Sequence, residues 1–242
     1  MSLKQIFYPE SCFGGFAIAD GTITFYTRVN ALIQPSSVIV DVGCGRGSFR
    51  DDPIEFRREL RNLTGKCREV IGIDVDNRAK ENPFIDEFRL ITEAHWPVED
   101  QSTDLCVSDN VLEHIEDPDH FFSEIKRILR PGGYACIRTP NVLSYFGLIS
   151  KLVPNSRHSF VLEKVKDRVN SGDVFPTVYR CNTVARLRRI LKEYNFVHSV
   201  YGYDAEPSYL SRSRFFYFLG VLHQRYAPHI FKVGIHAFGR KL

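Results

Sequence analysis

The sequence predicts an α/β fold built on a doubly wound, mostly parallel sheet, and two stretches carry that expectation. In Val38-Ile39-Val40-Asp41-Val42-Gly43-Cys44-Gly45-Arg46-Gly47 an apolar, β-branched run enters a set of alternating glycines. That order reads as a buried strand, a tight turn and a helix start, and a charged, helix-compatible stretch runs on from about residue 51 to 63. In Glu69-Val70-Ile71-Gly72-Ile73-Asp74 a second short apolar run ends in an acid and reads as the next strand of the same unit.

Strand and helix patterns then alternate. Residues 87–91 are a short strand candidate, and Asp104-Leu105-Cys106-Val107-Ser108 is another, ending at Asp109-Asn110. Asp117 is a helix N-cap with Pro118 at the first helical position. Phe121, Phe122, Ile125, Ile128 and Leu129 fall on one face of that helix, Lys126, Arg127 and Arg130 suit its last turn, and Pro131-Gly132-Gly133 stops it. A strand resumes over 134–138. From 139 to 181 the alternation breaks, with short helices expected over 143–152 and 162–169 inside a lid or binding insertion. Asn182-Thr183 caps a helix with Val184, Leu187, Ile190 and Leu191 on one face, and Asn195 closes it in a left-handed conformation. Residues 196–201 read as a strand, 204–229 as a second, aromatic insertion, and 231–238 as an antiparallel edge strand. One domain over 1–242 is expected, with 1–35 as an N-terminal cap and 139–181 and 204–229 as lid or substrate insertions.

Composition narrows the setting. The 242 residues are 43% hydrophobic and 25% charged, enough apolar content for a sizeable core. A net charge of +3 is too small to argue for nucleic acid. Arg186, Arg188, Arg189 and Lys192 read more simply as a solvated helix face than as an RNA-binding run. The six cysteines form no C-x-x-C pair, so no metal site is expected and reduced thiols in a cytoplasmic setting fit best. The N-terminus has no basic-then-apolar leader pattern, and no apolar run reaches transmembrane length.

The glycine register discriminates between ligands. A dinucleotide fingerprint wants a third glycine, or an alanine, where Ser48 stands. Asp41, two residues before the first glycine, offers nothing to a pyrophosphate but would attract an ammonium group. S-adenosylmethionine (SAM) carries such a group beside its sulfonium and adenosine. Asp74, at the end of the second strand, could accept hydrogen bonds from both ribose hydroxyls.

With these residues in view, the chain resembles the class I SAM-dependent methyltransferases, in particular the group called methyltransferase type 11. The carriers are residues 38–47, 71–74 and 99–104, Val111-Leu112-Glu113-His114-Ile115, and Ile128-Leu129-Arg130-Pro131-Gly132-Gly133, in the family's order. The resemblance implies a Rossmann-like sheet of seven strands, six parallel and one antiparallel. It implies S-adenosyl-L-methionine as methyl donor and S-adenosyl-L-homocysteine (SAH) as product. It implies that Gly43, Cys44 and Gly45 pass around the methionine portion, that Asp41 holds the amino group and Asp74 the ribose, and that Val75 packs near adenine. Glu93 and Ala94 stand where relatives contact the adenine ring, although many relatives have Asp there, and Asn110 stands beside the sulfonium. A helix over 21–32 would either cover the ligand with Phe25, Tyr26 and Arg28 or pack its aromatics into the core.

The acceptor side is open. A base is needed only where the acceptor must lose a proton. His114, after the fourth strand, and His158, in the long insertion, are candidates, each against a plain structural role. Tyr179 and Arg180 are candidate substrate contacts. The acceptor expected is a small molecule, such as a sugar, a lipid-linked compound or a secondary metabolite bearing a hydroxyl. The alternatives are an RNA methyltransferase and a non-catalytic SAM-fold binding protein. Residues 212–225, an aromatic run flanked by Arg212, Arg214 and Arg225, suit burial, a hydrophobic substrate mouth or a peripheral membrane contact.

Overall fold

The computed structural model describes residues 1–145 and 176–242. Helices α1 (Leu3–Phe7) and α2 (Gly21–Leu32) precede β1 (Val38–Val42), α3 (Glu55–Arg61), β2 (Glu69–Asp74), β3 (Glu87–Leu90) and β4 (Thr103–Asp109). Then come α4 (Pro118–Ile128), β5 (Leu129–Pro140), α5 (Val184–Glu193), β6 (Phe196–Tyr203), α6 (Arg214–Tyr226) and β7 (Gly234–Lys241). The seven strands form one sheet in the order β3-β2-β1-β4-β5-β7-β6. β1 pairs in parallel with both β2 and β4, and β7 runs antiparallel to both β5 and β6.

Period-two alternation sorts the strand residues onto two faces. Val38, Val40, Val42, Ile71 and Ile73 point to the layer containing Phe121, Phe122 and Ile125 of α4 and Leu187 and Ile190 of α5. Ile39, Val70, Leu105, Val107 and Cys136 point to the other layer, against Phe25, Tyr26 and Val29 of α2 and Leu63. Apolar residues on both faces are what a sheet covered on both sides requires. The helices start as their caps dictate. Asp20 accepts from the N–H of Thr22 and Ile23, Asp117 from His120 with Pro118 following, and Thr183 from Arg186. Asn195 takes φ 61° just beyond α5, as expected.

Three expectations change. The helix expected over 51–63 is confined to Glu55–Arg61, after a 3₁₀ turn at Ser48–Asp51. Pro53 is the reason: it holds Asp52 in an extended conformation (φ −64°, ψ 122°). The helix from Pro118 is not stopped by the Pro-Gly-Gly triplet. Leu129 is already extended, and the strand begins there, with the register shifting between the Thr103–Leu129 and Leu105–Tyr134 pairs. Arg130–Gly133 is the excess length of that irregularity, where proline is tolerated. The C-terminal strand is antiparallel but not at the edge: β7 lies between β5 and β6, and Ile235, His236 and Ala237 are buried. The helices expected over 143–152 and 162–169 lie outside the described residues, apart from the first three positions of the former.

Phe122 is fully buried between Phe121 and Tyr194. Phe122→Ala should therefore lower the unfolding free energy by about 3–5 kcal/mol in a denaturant titration. Arg189→Ala, on the exposed side of α5, should change it by less than about 0.5 kcal/mol. Equal losses from the two variants would contradict this placement of the core.

Candidate functional site

The face of the sheet that carries α2 and α3 ends in charge. At the carboxyl ends of β1, β2 and β4 the alternation brings Asp41, Asp74 and Asp109 to one side, with Arg138 paired to Asp109 on β5. Three carboxylates this close repel one another, and the fold deals with each differently.

Asp109 is neutralised. Arg138 donates to it through Nε (2.6 Å to Oδ1) and Nη2 (2.7 Å to Oδ2), a bidentate geometry. Tyr26 Oη donates at 3.0 Å, and Arg61 Nη2 lies at 3.4 Å. Burial alone would raise the Asp109 pKa, but Arg138, Arg61 and Tyr26 hold it below the usual carboxylate range. Burial likewise opposes the charge on Arg138, and Asp109 more than offsets it.

Asp74 is used by the backbone. Its Oδ2 accepts from the N–H of Gly45 (2.9 Å) and its Oδ1 from Asp76 (2.9 Å). The N–H groups of Gly43 and Cys44 point to the carbonyl of Ile73, and Asn82 Nδ2 donates to the carbonyl of Cys44. Gly43, Gly45 and Gly47 all have positive φ. A Cβ on Gly43 would sit 2.5 Å from Val111 Cγ2, whereas one on Gly45 would meet nothing within 4 Å. The turn is thus packed from behind at Gly43 and open in front at Gly45.

Asp41 has no hydrogen-bond partner among the described residues and faces a cavity of about 150 Å³. Tyr26, Gly43, Cys44, Gly45, Arg61 and Asp109 share its lining. Burial pushes the Asp41 pKa up to about 7; Asp109 and Asp74 raise it and Arg61 lowers it. Such a carboxylate is arranged for a cation that the protein itself does not supply. Burial also pushes the Cys44 thiol up, so it is no nucleophile at neutral pH. Phe49 stacks on Phe84 with centroids 4.2 Å apart, and the Arg61 guanidinium lies 4.5 Å from the Phe49 ring.

Of the expected cofactor residues, the structure brings Asp41, Gly43, Cys44 and Gly45 around this cavity, with Asp74 joined to them through Gly45. Val75, Glu93, Ala94 and Asn110 do not line it; all four are exposed. Asn110 has φ 58° and donates to Asp109 Oδ1 at 3.0 Å. In α2, Tyr26 lines the cavity, Phe25 is core and Arg28 is exposed. His114 Nδ1 lies 2.9 Å from the carbonyl of Pro176, and His158 lies outside the described residues. Tyr179 (φ 51°) is half-buried with its N–H on the carbonyl of Glu113, and Arg180 is exposed.

Sequence reasoning missed Asp109, Arg138, Arg61 and Glu113. Asp109 and Arg138 end two apolar runs, which is a signal, but only the strand order makes them neighbours. Glu113 is buried, its carboxyl raised by burial, and its Oε2 accepts from Thr139 Oγ1 at 3.1 Å.

A family model described as a methyltransferase domain matches residues 22–201. A chain of Mycolicibacterium smegmatis described as a probable S-adenosylmethionine-dependent methyltransferase is 32% identical over 44% of this chain and 39% of its own length. The malonyl-[acyl-carrier protein] O-methyltransferase of Yersinia pestis is 30% identical over 50% of this chain and 44% of its own. This chain spans between 39% and 57% of the length of the first curated relatives it matches. The geranyl diphosphate C-methyltransferase of Streptomyces coelicolor, solved with SAH, has the same fold. Its TM-score is 0.54 at 16% identity, covering 90% of this chain and 79% of that one.

The Asp41 pKa has a consequence for stability. Its folded value is raised above its unfolded one, so ionising it opposes folding, and the penalty grows from about pH 4 to pH 7. The melting temperature of Asp41→Asn, relative to the parent chain without ligand, should rise across that window and level off above pH 7. A difference independent of pH would show that Asp41 is not held in this way.

Proposed function

The chain belongs to the S-adenosylmethionine-dependent methyltransferases, and from that premise we propose that it transfers a methyl group from SAM to a small-molecule acceptor, releasing SAH. The observation that carries the site assignment is the Asp41 carboxylate, without a hydrogen-bond partner among the described residues, at the cavity lined by the glycine turn. It suits the ammonium of the methionine portion. The cavity is smaller than the roughly 300–1,000 Å³ of a pocket for a whole ligand of this size. It therefore takes the charged end, while the rest of the cofactor lies along the open front of the turn at Gly45. Each Asp74 oxygen accepts one backbone N–H and keeps a lone pair for a ribose hydroxyl. Val75, 63% exposed and next in the chain after Asp74, offers an apolar surface for adenine. Glu93 and Ala94, both exposed, are the further adenine contacts in this reading, and Asn110 the residue at the sulfonium.

Bound there, SAM supplies an activated methyl group on a good neutral leaving group. The protein's part is to align the acceptor and exclude water. For a hydroxyl acceptor a proton must also leave. A carbonyl only accepts, so the contact with Pro176 assigns the proton to Nδ1 of His114, and Nε2, which lies 4.0 Å from Glu113 Oε1, is the nitrogen that would take the acceptor's proton. Tyr179 and Arg180, on the chain that returns from the insertion, are the acceptor contacts. A sugar, lipid-linked or secondary-metabolite hydroxyl fits this set. The related O-methyltransferase and the structurally similar C-methyltransferase leave the atom methylated to be decided by the insertions.

Calorimetric titration with SAM, SAH and NAD tests this reading. SAM and SAH should bind and NAD should not; NAD binding without a response to SAM would overturn it. Asp74→Ala should weaken SAH by about 1.5–3 kcal/mol, since it removes a charged acceptor and the tether of Gly45. Affinity should rise about tenfold per pH unit up to pH 7, where Asp41 becomes ionised in the free protein, and then level. Asp41→Asn should bind weakly and lose this slope; retention of the slope would place the titrating group elsewhere.

A further inference from the structure

We propose that the outward face of α6 is a docking surface for anionic lipid, with the helix lying in the plane of the membrane interface. The inference is independent of the cofactor site.

Helix α6 already has a packed side. Tyr217, Gly220 and Val221 are buried, Tyr217 and Val221 in a cluster with Tyr8, Ala17 and Ala19. Phe7 of α1 approaches Tyr217 with ring centroids 5.4 Å apart. A Cβ on Gly220 would fall 2.7 Å from Pro207 Cβ, so this residue lets the helix settle directly on the preceding turn. The opposite side therefore faces outward, and it is apolar. At a period of 3.6 residues, Phe215, Leu219, Leu222 and Tyr226 form one stripe, and they are 65%, 42%, 37% and 77% exposed. Phe216 and Phe218 flank it on the helix and are exposed, as are Ile230 and Phe231 shortly after the helix ends. A stripe this continuous on a monomer's surface marks a contact.

The surrounding charge selects the partner. From Pro207 to Leu242 the chain contains no Asp or Glu, while Arg212, Arg214 and Arg225 bracket the stripe and are exposed. A second copy seated on the same face would set arginine against arginine. An anionic lipid surface matches both features. Apolar side chains enter the acyl boundary, Tyr226 sits at headgroup level, and the arginines meet the lipid phosphates.

Flotation of the full chain with vesicles tests the proposal. The chain should float with vesicles of phosphatidylcholine mixed with phosphatidylglycerol, much less with phosphatidylcholine alone, and less as salt is added. The double variant Leu219→Ser/Leu222→Ser should reduce partition on the order of tenfold or more, and Arg214→Gln/Arg225→Gln on the order of tenfold on the anionic vesicles only. The arginine variant should match the parent chain in melting temperature and SAH binding; the leucine variant, whose side chains are only 42% and 37% exposed, should lose some melting temperature and keep SAH binding. No flotation by the parent chain, or flotation unchanged by Leu219→Ser/Leu222→Ser, overturns the proposal. So does concentration-dependent dimerisation in light scattering that this variant abolishes, since a second copy would then cover the stripe. SAH binding is read in the same samples, so failure here is separable from failure of the cofactor reading.

Discussion

The bidentate pair between Arg138 and Asp109 is the interaction on which the functional end of the sheet depends. It joins β5 to β4, and Asp109 also collects Tyr26 from α2 and Arg61 from α3. Arg138 reaches further, donating to Thr22 Oγ1 at 2.9 Å. Four elements thus converge on one carboxylate. A buried ion pair is weak evidence for stability, because desolvation offsets much of the attraction. Its consequence here is positional. With Asp109 satisfied, the covering helix is held over the carboxyl ends of β4 and β5, and the negative charge left facing the cavity belongs to Asp41.

That division explains why two acids on neighbouring strands behave oppositely. Both are pushed up by burial, but only Asp109 has the cations and donors to reverse the push. Asp41 is kept as an unfavourable, partly protonated group, with its main compensating charge, Arg61, shared with Asp109. Natural proteins accept such local instability where binding needs it. His236 on β7, paired across the sheet with Arg138, is the basic counterpart. Burial and the nearby Arg138 lower its pKa to about 3, Arg28 adds to the effect and Asp109 opposes it, so it remains a neutral partner stacked on Tyr203.

The framework was legible in the sequence because it is written in local patterns. Alternating apolar runs, the Asp117-Pro118 start, the Thr183 cap and Asn195 each act within a few residues of themselves, and each acts as expected. The glycine turn belongs with them, since its conformation is set by residues 41–47 and Asp74. What the sequence left unread depends on register or on a single interruption. Pro53 shortens one helix, the irregularity at Arg130–Gly133 lets a strand start where a helix was expected to continue, and β7 moves inside the sheet because β6 covers it. The ion pair at Asp109 needs the strand order before it can be seen at all.

The proposed acceptor side is less legible for a related reason, and the neck of the long insertion shows it. The insertion leaves the sheet near Thr139 and returns at Asn182, and one hydrogen-bond chain ties both ends. Asn182 Nδ2 donates to Thr139 Oγ1 at 2.6 Å, and Thr139 donates to Glu113 Oε2. The N–H of Val142 meets the carbonyl of Asn182, and the carbonyl of Glu113 accepts from Val178 and Tyr179. The neck is therefore closed by residues of the framework, beside Val111, which packs against Gly43 of the glycine turn. Once a loop's ends are fixed, lengthening it adds closure entropy only logarithmically. The residues between can change in length and composition at little cost to the fold. The framework thus constrains the glycine turn and its carboxylates tightly and the residues beyond the neck hardly at all; on the proposed reading, a common fold serves different acceptors by altering what lies beyond this neck.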